Sequence, residues 1–223
     1  MKIYLSPSTQ ERNIGVGKYG TEEERMNQLA DIVQPLLQYN GFTVYRNKPS
    51  MTLEQVVQDS NSKIGSNDIH LALHTNAGGG EGTEIFYYTG SKDGERLSKT
   101  IYDEVAPITP SRDRGVKHNK VFRELNGTKG IATLLEVIFH DNKADADFMI
   151  NNMEKVAIAV VKGVCKYTGK SFRSMLKNET VKSVGSETFY QVVTGSFKDK
   201  QNAEKRMKEL KVKGFDSFIQ VKY

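Results

Sequence analysis

The first 168 residues alternate short apolar runs with amphipathic stretches of helical period, and that alternation leaves few architectures open. "KIYLS" reads as a strand and "TEEERMNQLADIVQPLLQYNG" as the helix after it. Thr21 can cap that helix, acidic residues fill its first turn and Gly41 stops it. Met26, Ala30, Val33 and Leu37 share one face, and Pro35 predicts a kink. The strand "FTVYRN" and the helix "TLEQVVQDSNSKIG" follow, then the apolar strand "DIHLALH", which reads as central. "GTEIFYYTG" is another strand, "SKDGERLSKTIYDEVAPI" a helix, "ATLLEVIF" a strand, and "DADFMINNMEKVAIAVVKGVCKYTG" a long final helix. Strands separated by helices imply an α/β fold, with a mostly parallel sheet and helices on both faces. In such sheets chemistry sits beyond the carboxyl ends of the strands, which is where His74 falls.

Periodicity fades after residue 168. The stretch 169–186 reads as a linker, and 187–223 begins again as strand, helix, strand, a small C-terminal βαβ unit. Such a unit is too small to bury a good core alone, so it should pack on the main domain or on a second copy of itself. The charge follows the same division. Residues 1–170 balance, and the net +5 of the whole chain falls in the tail, as expected of a segment that meets a polyanion or presents a lysine-rich solvated face. The single cysteine, Cys165, excludes an intramolecular disulfide. No basic segment followed by an apolar stretch opens the chain, and no 18-residue apolar run exists. A cytoplasmic origin without a signal peptide is therefore expected, with no membrane partner.

Three places gather polar groups that a core does not need. The first strand ends in "SPSTQERN" and the central strand in "LHTNAGG". The strand "ATLLEVIF" carries Glu136 among apolar residues, where an unpaired carboxylate would cost several kcal/mol. The trio Glu22, Glu23 and Glu24 opens the first helix, where the helix dipole favours negative charge whatever else those residues do. One histidine, one helix-start glutamate and one strand glutamate can build a catalytic zinc site: protein ligands, a metal-activated water and a separate carboxylate as general base.

"LALHTNAGGGEGTEIFYY" resembles the S-I-H-x-N-A…G-x-E-x-Y segment of the zinc-dependent N-acetylmuramoyl-L-alanine amidases of the amidase-3 family. "ATLLEVIFHDNKADADFM" is similar to that family's late L-x-E-x-x-F-x-x-N segment, and "TEEERMNQLA" to its E-x-x-x-N helix start. The resemblance covers about residues 1–168 in the right order. It implies a six-stranded sheet flanked by helices, and hydrolysis of the amide between muramic acid and the L-alanine of the peptidoglycan stem peptide. It also implies Zn2+ as cofactor, His74 as a zinc histidine, Glu23 as the zinc carboxylate (Glu22 or Glu24 if the register slips), Glu136 as general base and Asn76 as a substrate contact.

The first strand departs from the pattern. The family's D-P-G-H supplies the first zinc histidine, whereas this chain reads "SPSTQ", with no histidine before His70. Thr9 holds the strict register and Gln10 is the best local replacement through its side-chain oxygen; His70, His118 and His140 are other candidates to complete the shell. The tail, "FYQVVTGSFKDKQNAEKRMKELKVKGFDSFIQVKY", resembles one half of a SPOR repeat, which implies peptidoglycan binding and, because a full module has two halves, a homodimer formed through the tails. Bacterial peptidoglycan is thus the expected partner, not nucleic acid. A phage endolysin released by a holin and an autolysin freed by lysis both suit this reading. The alternative is a catalytically inactive peptidoglycan-binding protein.

Overall fold

The computed structural model describes residues 1–175, 197 and 199–213, in two units, Met1–Asn178 and Glu179–Tyr223. In the first unit β1 (Lys2–Pro7), β2 (Thr43–Arg46), β3 (Ile69–Asn76), β4 (Glu84–Tyr88), β5 (Gly115–Asn119) and β6 (Ile131–Phe139) form one sheet in the order β2-β1-β3-β6-β4-β5. All neighbours are parallel except β4 and β6. The mostly parallel six-stranded sheet expected from the sequence is therefore present. The helices are α1 (Glu22–Tyr39), α2 (Leu53–Lys63), α3 (Lys92–Val105), α4 (Arg123–Asn126) and α5 (Lys143–Tyr167).

Side-chain alternation divides the core between the two sheet faces. Ile3, Leu5, Leu71, Leu73, Leu135 and Val137 pack with Met26, Leu29 and Val33 of α1, Leu97 and Ile101 of α3, and Val156, Val160 and Val164 of α5. Burying each such leucine is worth roughly 1.5–3 kcal/mol, so this face carries most of the stability. The other face is thinner. Ala72, Ala132 and Leu134 meet Leu125 of α4, and Tyr4 meets Val56 of α2. That shallow cover leaves the carboxyl ends of β3 and β6 open to a cleft.

The first helix is built as its sequence predicts. Thr21 Oγ1 accepts from the Glu24 amide at 3.1 Å, and the buried face is Met26, Leu29, Ala30, Val33 and Leu37. The backbone is helical straight through Pro35; among the described residues, Asn152 in α5 departs from helical φ/ψ inside a long helix. β5 has no counterpart in the sequence reading. Its five residues, "GVKHN", sit at the sheet edge and carry a single aliphatic side chain.

In the second unit α6 (Lys200–Val212) is the helix expected in the tail; Asp199 caps it and none of its residues is buried. The two tail strands expected on either side of it lie outside the described residues, apart from Phe197. No helix among the described residues is long and apolar enough to cross a membrane.

Candidate active site

Register fixes the site. His74 on β3 stands opposite Glu136 on β6, and Glu136 stands opposite Glu84 on β4, so three ionisable side chains line one row on one face of the sheet. Beyond His74 the β3–β6 register slips by one, and Asn76 faces Phe139. The glycine-rich turn then closes over an anion: Gly78 and Gly79, both at positive φ, donate their amides to Asp141 Oδ2 at 2.7 and 2.8 Å. The turn thereby ties the ends of β3 and β6 together behind His74.

His74 is held by carboxylates at both ring nitrogens. Nδ1 lies 2.8 Å from Glu22 Oε1 and Nε2 lies 3.2 Å from Glu124 Oε1. Burial works against charge on the ring, but the hydrogen bonds to Glu124 and Glu22 win and hold its pKa well above the ordinary 6.5. Burial likewise pushes the Glu22 carboxyl up, yet His74, Asn13 and Ser8 together bring it below the usual carboxylate range. Glu124 follows the same pattern and is lowered strongly by His70 and His74. Glu136 is the exception. Desolvation, reinforced by Glu22 and Glu84 and only partly offset by His74, pushes it up to about 7, and its buried Oε2 has no hydrogen-bond partner among the described residues.

Of the helix-start glutamates, Glu23 is the expected zinc carboxylate, with Glu22 or Glu24 if the register slips. Glu22, not Glu23, reaches His74. Glu22 is the first residue of α1 and is 1% exposed; its amide bonds to Asn13 O, which turns its side chain inward across the strand ends. The helix advances about 100° per residue, so Glu23 points elsewhere, and Asn27 bonds the Glu23 backbone carbonyl rather than its carboxylate. Gln10 and Thr9 line the same cleft as His74 and Glu136, together with Leu53, Val56, Phe122 and Leu134, around a volume of about 380 Å³. Asn13 Nδ2 donates to both Gln10 Oε1 (2.9 Å) and Glu22 Oε2 (2.6 Å), bringing those two oxygens to one nitrogen. Asn76 Nδ2 donates to Glu84 Oε1 at 2.5 Å.

The other histidines have separate occupations. His118 packs edge-on against Tyr87. His140 stacks on Tyr19 and bonds Thr75. His70 lies beneath the site, stacked on Tyr4, and joins Ser60 to Glu124. Glu124 was not singled out in the sequence, because "FRELNG" looks like a solvated turn; only its place between Phe122 and Leu125 hints at burial.

Among the described residues no group of three or more His, Cys, Asp or Glu side chains is arranged to hold a metal ion. The donor set still suits a divalent cation at two positions. An imidazole nitrogen and a carboxylate oxygen converge, and the second ring nitrogen is backed by a carboxylate, as in many zinc–histidine sites. Glu136, which pairs with His74 across the strands, keeps one buried oxygen without a partner among the described residues. Thr9 and Gln10 bring side-chain oxygens to the same cleft.

A histidine, two carboxylates and a desolvated glutamate at the carboxyl edge of a parallel-rich α/β sheet form an arrangement suited to hydrolytic chemistry. The N-acetylmuramoyl-L-alanine amidase family model (Amidase_3) matches residues 3–166, and the chain belongs to that family, whose reaction is hydrolysis of the amide between N-acetylmuramic acid and L-alanine in peptidoglycan. A SPOR domain model matches 140–220; its first part overlaps the amidase match and in the structure forms α5. Similar proteins include N-acetylmuramoyl-L-alanine amidase CwlM of Bacillus licheniformis, 27% identical over 98% of this chain and 84% of that one. A sporulation-specific N-acetylmuramoyl-L-alanine amidase of Bacillus subtilis (strain 168) is 27% identical over 100% of this chain and 85% of its own. Among solved structures, the catalytic domain of the amidase CwlV from Bacillus (Paenibacillus) polymyxa var. colistinus has a TM-score of 0.67 at 21% identity, covering 77% of this chain and 100% of that one. The catalytic domain of the CD27L endolysin targeting Clostridia Difficile has a TM-score of 0.64 at 25% identity, covering 78% and 99%.

Proposed function

We propose that this amidase uses zinc held by His74 and Glu22, with the Gln10 side-chain oxygen completing the set, and that Glu136 is its general base. Zinc bound there supplies Lewis acidity, polarising the amide carbonyl and acidifying water. The remaining work falls to the chain. Glu136, with a pKa near neutrality and one free oxygen, takes a proton from the attacking water and returns it to the departing alanine nitrogen. Glu124 holds the His74 ring so that Nδ1 faces Glu22. Asn13 and Ser8 keep the Glu22 carboxylate ionised. Asn76, tied to Glu84, borders the substrate path as an amide donor.

The observation that carries this reading is that His74, held by the buried Glu22, and Glu136, with an unpartnered oxygen, line one cleft. An inactive wall-binding protein would gain nothing from such an arrangement, since burying Glu136 destabilises the fold. The tail supplies affinity for the wall, and two tails pair to complete a SPOR module. The enzyme is made in the cytoplasm and reaches the wall once lysis or a holin releases it. Digestion of purified peptidoglycan, with and without a zinc chelator, tests the chemistry. New alanine amino termini that vanish with chelator are expected; new reducing sugars, or chelator-resistant release, would refute it.

A further inference from the structure

The row His74–Glu136–Glu84 does not end at Glu84. The next strand, β5, places Gly115 opposite Glu84, and Gly115 has no side chain and open space where a Cβ would stand. Two cations flank this notch. Arg114 Nε donates to Glu84 Oε2 at 3.0 Å, and Lys117 Nζ reaches the same oxygen. Glu84 is 3% exposed, while the Arg114 and Lys117 side chains are 34% and 38% exposed, so the cluster buries its anion and presents its cations. One carboxylate against two cations leaves a net positive charge. The Arg114 guanidinium lies over the Phe139 ring, 4.8 Å from its centroid. Only its Nε is committed to Glu84, and its two terminal nitrogens have no hydrogen-bond partner among the described residues. A guanidinium held this way is prepared for an incoming carboxylate.

We propose that Arg114 and Lys117 form a subsite for a carboxylate of the stem peptide, one residue beyond the alanine released by cleavage. The inference rests on the peptidoglycan amidase reading. Adjacent strands lie about 4.8 Å apart, so β5 is about 10 Å from Glu136 across β4. Arg114 and Lys117, however, reach back to Glu84 on β4, one strand spacing from Glu136. An extended residue spans about 3.5 Å, so with the scissile amide against Glu136 and His74 the α-carboxylate of a γ-linked glutamate after the alanine comes within reach of those cations. The arrangement also orients the substrate, with the sugar on the β1 side of the row and the peptide on the β5 side. Glu84 acts as a positioning residue that keeps both cations in place while the notch is empty.

Binding tests the subsite without turnover. The full chain carrying Glu136→Gln is titrated calorimetrically with N-acetylmuramoyl-L-alanyl-γ-D-glutamyl-L-lysinamide, with the glutamyl α-carboxylate either free or amidated. The free carboxylate should bind about tenfold more tightly, as expected of a charge-assisted contact that is partly exposed. Arg114→Gln, which keeps a donor for Glu84, and Lys117→Met should each erase most of that preference, with thermal melts confirming the fold. Equal binding of the two ligands, no binding of either, or a preference that survives both substitutions would overturn the subsite. The reaction itself is judged separately, by alanine release from peptidoglycan by the unmodified chain.

Discussion

Glu22 and Glu23 are adjacent and identical in chemistry, so exchanging each in turn isolates what position contributes. Glu22 is 1% exposed and bonds His74, which is 12% exposed and already flanked by Glu124. Removing one partner of a buried ion pair costs about 3–5 kcal/mol, because the other charge is left behind. Partial exposure and the second carboxylate place Glu22→Gln near the lower end, about 3 kcal/mol. For a unit of this size that lowers Tm by roughly 6–12 °C. Glu23→Gln, with its carboxylate away from the site, should stay within about 0.5 kcal/mol. The assay is thermal unfolding of the metal-free protein followed by circular dichroism. The pH dependence has a definite sign. Glu22 is lowered from 4.5, so its share is present above that value and is lost as pH falls through the folded pKa. His74 is raised above 6.5, so its share is complete below 6.5 and is lost as pH rises through the folded pKa. The gap between wild type and Glu22→Gln is therefore widest between about pH 4.5 and 6.5 and closes in acid. Equal shifts for the two variants, or a larger one for Glu23→Gln, would refute the assignment of Glu22.

Other outcomes follow from the same site. Glu136→Gln should abolish alanine release while raising stability above pH 7, because the wild-type carboxyl, held near 7, must ionise in a desolvated position; retained turnover would remove Glu136 as base. In the wild type, kcat/KM should rise with pH through about 7 as that carboxyl loses its proton. Thr9→His restores an imidazole at the strict-register position and should tighten zinc binding at least tenfold in a chelator competition; unchanged affinity would show that Thr9 does not face the metal. Removing residues 179–223 should leave a folded unit that cleaves soluble muropeptides but no longer pellets with peptidoglycan, and an unchanged solution mass would refute pairing through the tail.

Most of the sheet was legible because its central strands are long and apolar and its helices carry ordinary caps. β5 was not, since an edge strand buries little and "GVKHN" shows no alternation to read. Pro35 broke no helix because α1 is held along its whole length by packing on β1, β3 and α5, which outweighs one missing backbone hydrogen bond. In the site, His74 and Glu136 stood out as polar residues in apolar strands, a signal that survives in one dimension. Glu22 against Glu23 could not be resolved that way, because the choice depends on the angle at which α1 leaves the "SPSTQERN" loop. Glu124 was invisible for a related reason. A four-residue helix has no periodicity, and its carboxylate is buried only because β3 delivers two histidines to it.

The position of α5 bears on how nature and engineers can recombine such chains. The SPOR match begins at residue 140, yet Val156, Val160 and Val164 of α5 are wholly buried against α1, α3 and the sheet. A chimera spliced at that similarity boundary would carry off a wall of the amidase core and expose the strands beneath. Modules exchanged between amidases of this kind must instead be joined beyond Arg173, since Phe172 packs on the core and the Arg173 amide donates to Asn40 Oδ1. The unit that can be inherited is set by packing, and it runs past the point where the second similarity begins.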